Sequence, residues 1–152
     1  MPGYKAHLAG GAVAYGLTLY LLRGYCSSVF LTVEWLFFAL AGSLFPDIDT
    51  KSKGQTFFYR ILFIVLILLA LQRKFFSVGV LSVFAIVPII SRHRGLFHKF
   101  WFVVGVSLVG AIAVSLYVPE YCKIIMFDTL FFIVGIVSHL ILDLGFRRAF
   151  KV

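Results

Sequence analysis

Apolar residues in this chain do not form the one-sided stripes of a soluble helix. They come in long, nearly unbroken runs separated by short polar breaks. Six runs read at approximately 7–22, 29–45, 57–71, 75–91, 96–118 and 125–145. A helix that is hydrophobic all round must lie in a large core or in lipid, and about 20 residues cross the hydrocarbon layer of a bilayer. The pattern therefore predicts membrane-spanning helices. The breaks carry turn chemistry. Arg23-Gly24-Tyr25-Cys26-Ser27-Ser28 closes the first run. Pro46 ends the second, since proline cannot continue a helix interior, and the polar stretch 50–56 follows it. Gln72-Arg73-Lys74, Ser91-Arg92-His93-Arg94-Gly95 and Pro119-Glu120 divide the rest. The third and fourth runs are short, and a re-entrant hairpin is the alternative to two crossings there. The fold class expected is all-α: a polytopic membrane helix bundle of about six segments, forming one domain over residues 1–152. No repeat or low-complexity linker interrupts it. Lys5 ahead of an apolar run gives the start some character of a signal peptide, but the small residues Ala12-Val13-Ala14 come too early for a full apolar region, so a retained helix is expected.

Composition agrees. The 152 residues are 62% hydrophobic, 18% aromatic and 13% charged, with mean hydropathy +1.05. A soluble domain carries about 25% charged residues, so this chain has too few to cover a wetted surface. An ordinary soluble domain, a disordered chain and a disulfide scaffold are excluded. The net charge of +8 reads as topology rather than as a nucleic-acid footprint, because Lys and Arg gather on the cytoplasmic side of membrane proteins. With six crossings, ten of the fourteen cations fall on the side of both termini: Lys5, Lys51, Lys53, Arg60, Arg92, Arg94, Lys99, Arg147, Arg148 and Lys151. Both termini are therefore expected to be cytoplasmic. Cys26 and Cys122 fall on the far side, either bridged in an oxidising compartment or as two separate thiols. Small residues four apart on the first helix, Ala12 with Gly16 and Gly10 with Ala14, suit close helix contacts. Trp101 is placed for a membrane interface; Trp35 is left open.

The chemistry lies in the few ionisable residues. There are four histidines and six acids. His7 opens the first run. Asp47 and Asp49 follow the second, in Phe45-Pro46-Asp47-Ile48-Asp49. His93 and His98 flank the entry to the fifth, and His139 and Asp143 sit late in the sixth. Two crossings separate each group from the next, so all seven return to one membrane face. A re-entrant hairpin keeps the same parity. Glu34, Glu120 and Asp128 fall toward the other side or its interface. Alone, each element has an ordinary explanation: a capping His7, a solvated Asp-x-Asp loop, headgroup contacts for His93 and His98, a hydrogen-bonded His139–Asp143 pair. Together, imidazoles and carboxylates at one pole suit a divalent metal such as zinc, manganese or iron. His139 and Asp143, at i and i+4, share a helix face. His93 and His98 converge only if His93 precedes the helix start, which Gly95 favours.

At these positions the chain resembles the YdjM-like inner-membrane proteins, described as LexA-regulated metal-dependent hydrolases. Their pattern is an N-terminal His before a Gly-rich helix, a Pro-Asp-x-Asp motif, a His-Arg-Gly-x-x-His motif and a C-terminal His-x-x-x-Asp. Here these read His7 with Gly10-Gly11, Pro46 to Asp49, His93 to His98, and His139 to Asp143, in order along nearly the whole chain. The resemblance implies a multi-pass protein of the inner (plasma) membrane with a hydrolase-like metal site, and supplies no substrate. Lys99 departs from the pattern, which has a small polar residue there.

The direct ligands expected are His7, Asp47, His98, His139 and Asp143. Asp49 is the candidate bridging ligand or general base, and His93 a ligand or proton donor. Seven candidates exceed the three or four protein ligands of one catalytic zinc, so one or two divalent ions, zinc or manganese, are expected. Two ions would suit phosphoester hydrolysis. Arg94 and Arg92 are placed to fork onto a phosphate, against the plainer reading of positive-inside placement. A site at headgroup level suits a phosphoester or lipid-like substrate from the surrounding membrane lipid, and no nucleic acid. The competing readings are an ion or proton transporter with a His/Asp relay, a non-catalytic protein whose polar cluster ties helix ends together, and a haem protein.

Overall fold

The computed structural model describes residues 3–25, 28–49, 51–90, 96–145 and 149. Each apolar run forms an α-helix: α1 (Tyr4–Leu21), α2 (Val29–Leu44), α3 (Lys53–Leu71), α4 (Phe75–Ile90), α5 (Phe100–Tyr117) and α6 (Cys122–Leu144). There is no strand among the described residues. Four helical stretches are long and apolar enough to cross a bilayer: Val29–Asp49, Lys53–Leu71, Phe100–Tyr117 and Pro119–Leu144. The expected count of about six is thus met by helices but not by spans of full length. The 16 residues of α4 rise only about 24 Å at 1.5 Å per residue, less than the ~30 Å hydrocarbon layer. α1 falls short on hydropathy, since Lys5, His7 and three tyrosines dilute it.

Local signals explain most of the boundaries. Pro46 sits in a 3₁₀ turn, Phe45–Asp49, that closes α2. α3 starts four residues before its apolar run because Ser52 caps it, its hydroxyl accepting from the Gln55 N–H at 3.0 Å. The Ser52 hydroxyl also donates to the Asp47 carbonyl at 3.0 Å, tying the start of α3 to the turn after α2. α3 ends with the N–H of Arg73 on the Ala70 carbonyl and the N–H of Lys74 on the Leu69 carbonyl. This closure needs a left-handed residue, and Arg73 supplies it at φ 57°. α5 starts later than its apolar run: Leu96–His98 is a separate 3₁₀ turn and Lys99 is an extended N-cap without a side-chain cap bond. A serine at that position would satisfy one of the helix's orphan N–H groups. Lys99→Ser is therefore expected to stabilise the protein by about 1 kcal/mol, read as a raised unfolding midpoint in detergent.

The centre of the molecule is the triple contact of α1, α2 and α6, with α5 against the other side of α6. Helices in lipid associate through close packing rather than hydrophobic exclusion, so small residues mark their crossings. A Cβ on Gly135 of α6 would collide with the Ala39 carbonyl oxygen of α2, and one on Gly42 of α2 with the Phe132 carbonyl oxygen of α6. On α1, Gly11 abuts Ser43, and Gly10 abuts Ser138 and Leu142. Of the small pairs expected on α1, Gly10 therefore serves, whereas Ala12 and Gly16 are exposed. Farther from the site, Trp35 is buried and stacks on Phe131 and Phe127 at 4.9 and 5.2 Å. Trp101 is exposed in the first turn of α5. α3 and α4 pair with each other and meet the rest mainly through the 3₁₀ turns. Gly54 is the one buried residue of α3, and Phe63, Ile64, Leu68 and Leu71 are exposed, as a lipid-facing helix requires. Cys122 is exposed at the start of α6, while Cys26 lies outside the described residues.

Candidate metal centre

Four chain segments end at one pole of this bundle: the start of α1, the 3₁₀ turn after α2, the 3₁₀ turn before α5 and the last turns of α6. Each brings one or two of the expected ligands. His7 lies in the first turns of α1, and the helix that starts at Tyr4 turns it inward, 2% exposed. The turn Phe45–Asp49 presents Asp47. The turn Leu96–His98 presents His98, buried, ahead of α5 rather than on it. α6 presents His139 and Asp143 one turn apart on its inner face, with side chains 0% and 2% exposed.

His139 is the hub. Its Nδ1–H donates to the Ser43 carbonyl at 2.7 Å. A carbonyl only accepts, so this bond fixes the tautomer and leaves the lone pair on Nε2. That Nε2 faces Asp47 Oδ1 at 3.8 Å and Asp143 Oδ2 at 3.9 Å. His98 Nε2 stands 3.9 Å from each of the same two oxygens. His7 Nε2 lies 3.4 Å from the other oxygen of Asp143, Oδ1. The rings of His7 and His139 stack at 3.9 Å, and His98 meets His139 edge-on at 5.7 Å.

These spacings are too long for hydrogen bonds, which hold N and O about 2.9 Å apart. They are close to the spacing of donors around an ion. Bonds of ~2.0–2.1 Å in a tetrahedron place the donors about 3.3 Å apart, so the 3.8–3.9 Å contacts need a contraction of about half an ångström to match that spacing. Two overlapping triads, His7 with His139 and Asp143, and Asp47 with His98 and His139, each hold one donor atom per residue within 4.8 Å of the others. Buried polar atoms are rarely left unpaired. Here His139 Nε2, Asp143 Oδ1 and His7 Nδ1 are buried and have no hydrogen-bond partner. A largely buried donor set of imidazole nitrogens and carboxylate oxygens gathered at one pole fits a divalent ion of the zinc or manganese class. The Ser43 carbonyl behind His139 is the outer partner that orients such a ligand.

All five expected direct ligands therefore meet. Asp49 is in neither triad; its carboxylate is buried and borders a separate cavity with Lys51, Gln55, Tyr59 and Ile89. His93, Arg92 and Arg94 lie outside the described residues. The sequence reading missed Ser43. The small-residue run Ala41-Gly42-Ser43 before Phe45-Pro46 is the signal that a neighbouring helix approaches there. It also placed Asp128 toward the far side or its interface and did not foresee its burial. The carboxylate lies inside, 7% exposed, and its Oδ1 has no hydrogen-bond partner.

Compared with known proteins, residues 1–151 match the family model described as YdjM inner membrane protein. No curated protein and no solved structure matches the chain.

Proposed function

Since the chain belongs to the YdjM inner membrane protein family, we propose that it is a multi-pass inner-membrane, metal-dependent hydrolase acting on a phosphoester or lipid-like substrate. In this reading α1 and α4 join the four full-length spans to make six segments, and both termini and the metal pole are cytoplasmic. The observation that carries it is His139: completely buried, fixed in tautomer by Ser43, with Nε2 facing two carboxylates and a place in both triads.

Asp47, His98, His139 and Asp143 would hold one ion. His7, on the free side of Asp143, would either orient that carboxylate or hold a second ion across it. A divalent ion there supplies Lewis acidity toward a phosphoryl or carbonyl oxygen. The chain's own residues do the rest. Asp143 divides its two oxygens between His7 and the His98–His139 pair. Asp47 is the least covered of the ligands, its side chain 19% exposed against 0–4% for its three neighbours, so substrate and water reach the centre past it. The helix ends behind the other ligands exclude water. Asp49 and His93 are the candidates for proton transfer, and Arg92 and Arg94 for holding a phosphate.

The test is elemental analysis of protein purified in neutral detergent without chelator. About one or two equivalents of zinc or manganese are expected, and Asp47→Ala should lose most of the metal while eluting as the same monodisperse species. Metal-free wild type that takes up neither zinc nor manganese would overturn the reading. One observation favours a second reading, a proton or ion path: the buried carboxylate of Asp128 on α6, 11 residues before His139, or about 16 Å along the helix. Ion flux into vesicles that Asp128→Asn abolishes, with no hydrolysis by wild type, would favour it.

A further inference from the structure

An apolar cavity of about 350 Å³ opens between α3, α4, α5 and the two 3₁₀ turns. Its lining includes Phe45, Ile48, Leu62, Ala85, Phe97 and Val106. Two of these place it beside the centre: Ile48 lies between Asp47 and Asp49, and Phe97 directly precedes His98. The rings of Phe45 and Phe97, 5.9 Å apart, form the floor where the two ligand-bearing turns meet. The outer wall is the α3–α4 pair, held at this end by the Tyr59 hydroxyl, which donates to the Ala85 carbonyl at 2.6 Å. Pro88, one turn further along α4, has no N–H to donate to the helix ladder and lines the cavity. Tyr59 and Ala85 also line a second, more open cavity that contains Arg60. Tyr59 borders the third, polar one, with Lys51, Gln55 and Asp49.

We propose that this cavity is a binding site for one acyl chain of an anionic phospholipid, with the lipid's phosphate end at the His/Asp pole. The size decides for one chain, since 350 Å³ is at the low end of small-ligand sites, about 300–1,000 Å³. Chemistry decides for hydrocarbon, because the lining is almost wholly apolar and the outer wall, α3, is an exposed apolar helix. Charge favours an anionic head: Lys51 and Arg60, in the cavities that adjoin at Tyr59, are two cations against the one carboxylate of Asp49, and the Asp47 and Asp143 carboxylates at the pole would be offset by the divalent ion they hold. The inference rests on the hydrolase reading for what happens at the head, but the chain site stands or falls separately.

The experiment uses full-length protein in vesicles that contain a trace of phosphatidic acid bearing a photoreactive diazirine in its acyl chain. Cross-links are expected to concentrate on the partly covered lining residues Leu62, Leu81 and Phe102. Excess unlabelled phosphatidic acid should suppress them at least fivefold more than the same excess of neutral phosphatidylcholine. Ala85→Phe and, from the opposite wall, Val106→Phe should each lower this labelling about fivefold with metal content unchanged. Labelling spread evenly over the exposed residues Phe63, Ile64 and Leu68, or unaltered in a folded filling variant, would overturn the proposal, as would equal competition by the neutral lipid. Saturable labelling of a protein that holds no metal would support the chain site and sink the hydrolase reading. Bound metal with evenly spread labelling would do the reverse.

Discussion

His139→Ala is expected to strip the protein of its metal and abolish hydrolysis. No other residue belongs to both ligand triads, and its ring is fixed from behind by the Ser43 carbonyl. Loss of an outer-shell partner alone typically costs 10–100-fold in metal affinity, so loss of the ligand itself should cost at least about 100-fold. The variant also leaves the Ser43 carbonyl without its donor, a further destabilisation of about 1–3 kcal/mol. Thermal unfolding in detergent separates the two effects. A metal that binds only the folded state stabilises it by about 2.7 kcal/mol at a hundred times its Kd, so chelator should lower the wild-type midpoint and added zinc restore it. His139→Ala should start lower and respond to neither. If chelator leaves the wild-type midpoint unmoved, the cluster is a structural tie between helix ends; if His139→Ala keeps its metal, His139 is not the ligand that the two triads share.

Gly135→Leu is expected to be as damaging, from the middle of a helix and without touching a ligand. A side chain there has no room: even a Cβ collides with the Ala39 carbonyl and comes within 2.7 Å of the Ser43 N. These are backbone atoms, so no rotamer change relieves the clash, and α2 and α6 must separate. That separation moves Ser43 and Asp47 away from His139 and Asp143. Overpacking typically costs 1–3 kcal/mol when side chains can adjust; here about 3 kcal/mol or more is expected, with loss of metal in whatever protein still folds. Gly16→Ala is the control. A Cβ at Gly16 would meet nothing within 4 Å, and alanine is favoured over glycine inside a helix by up to about 1 kcal/mol, so its midpoint should hold or rise. Equal behaviour of the two variants would show that the α2–α6 crossing does not set the site.

Much of this was legible in the chain itself. The unbroken apolar runs determined an all-helical membrane chain, because 13% charged residues are too few to cover a soluble surface; six helices form, and four stretches are long and apolar enough to cross a bilayer. Parity determined that His7, Asp47, His98, His139 and Asp143 share a pole, because successive pairs of helices or a hairpin must bring the chain back to the same side. Spacing of i and i+4 determined that His139 and Asp143 face the same way. What the chain alone left undecided depends on contacts between distant segments. Asp47 and Asp49 are two residues apart in one turn, and nothing in their order says which joins the histidines; packing of that turn against α6 and the start of α3 sends Asp47 to the cluster and Asp49 to another cavity. Likewise Gly16 and Gly135 are both glycines in apolar helices, and only the approach of α2 makes one indispensable. The tautomer of His139 is set by a carbonyl 96 residues away. Hydropathy and parity are properties of a segment and survive without a partner; ligand choice, close packing and protonation site belong to pairs of atoms, and exist only once the helices have met.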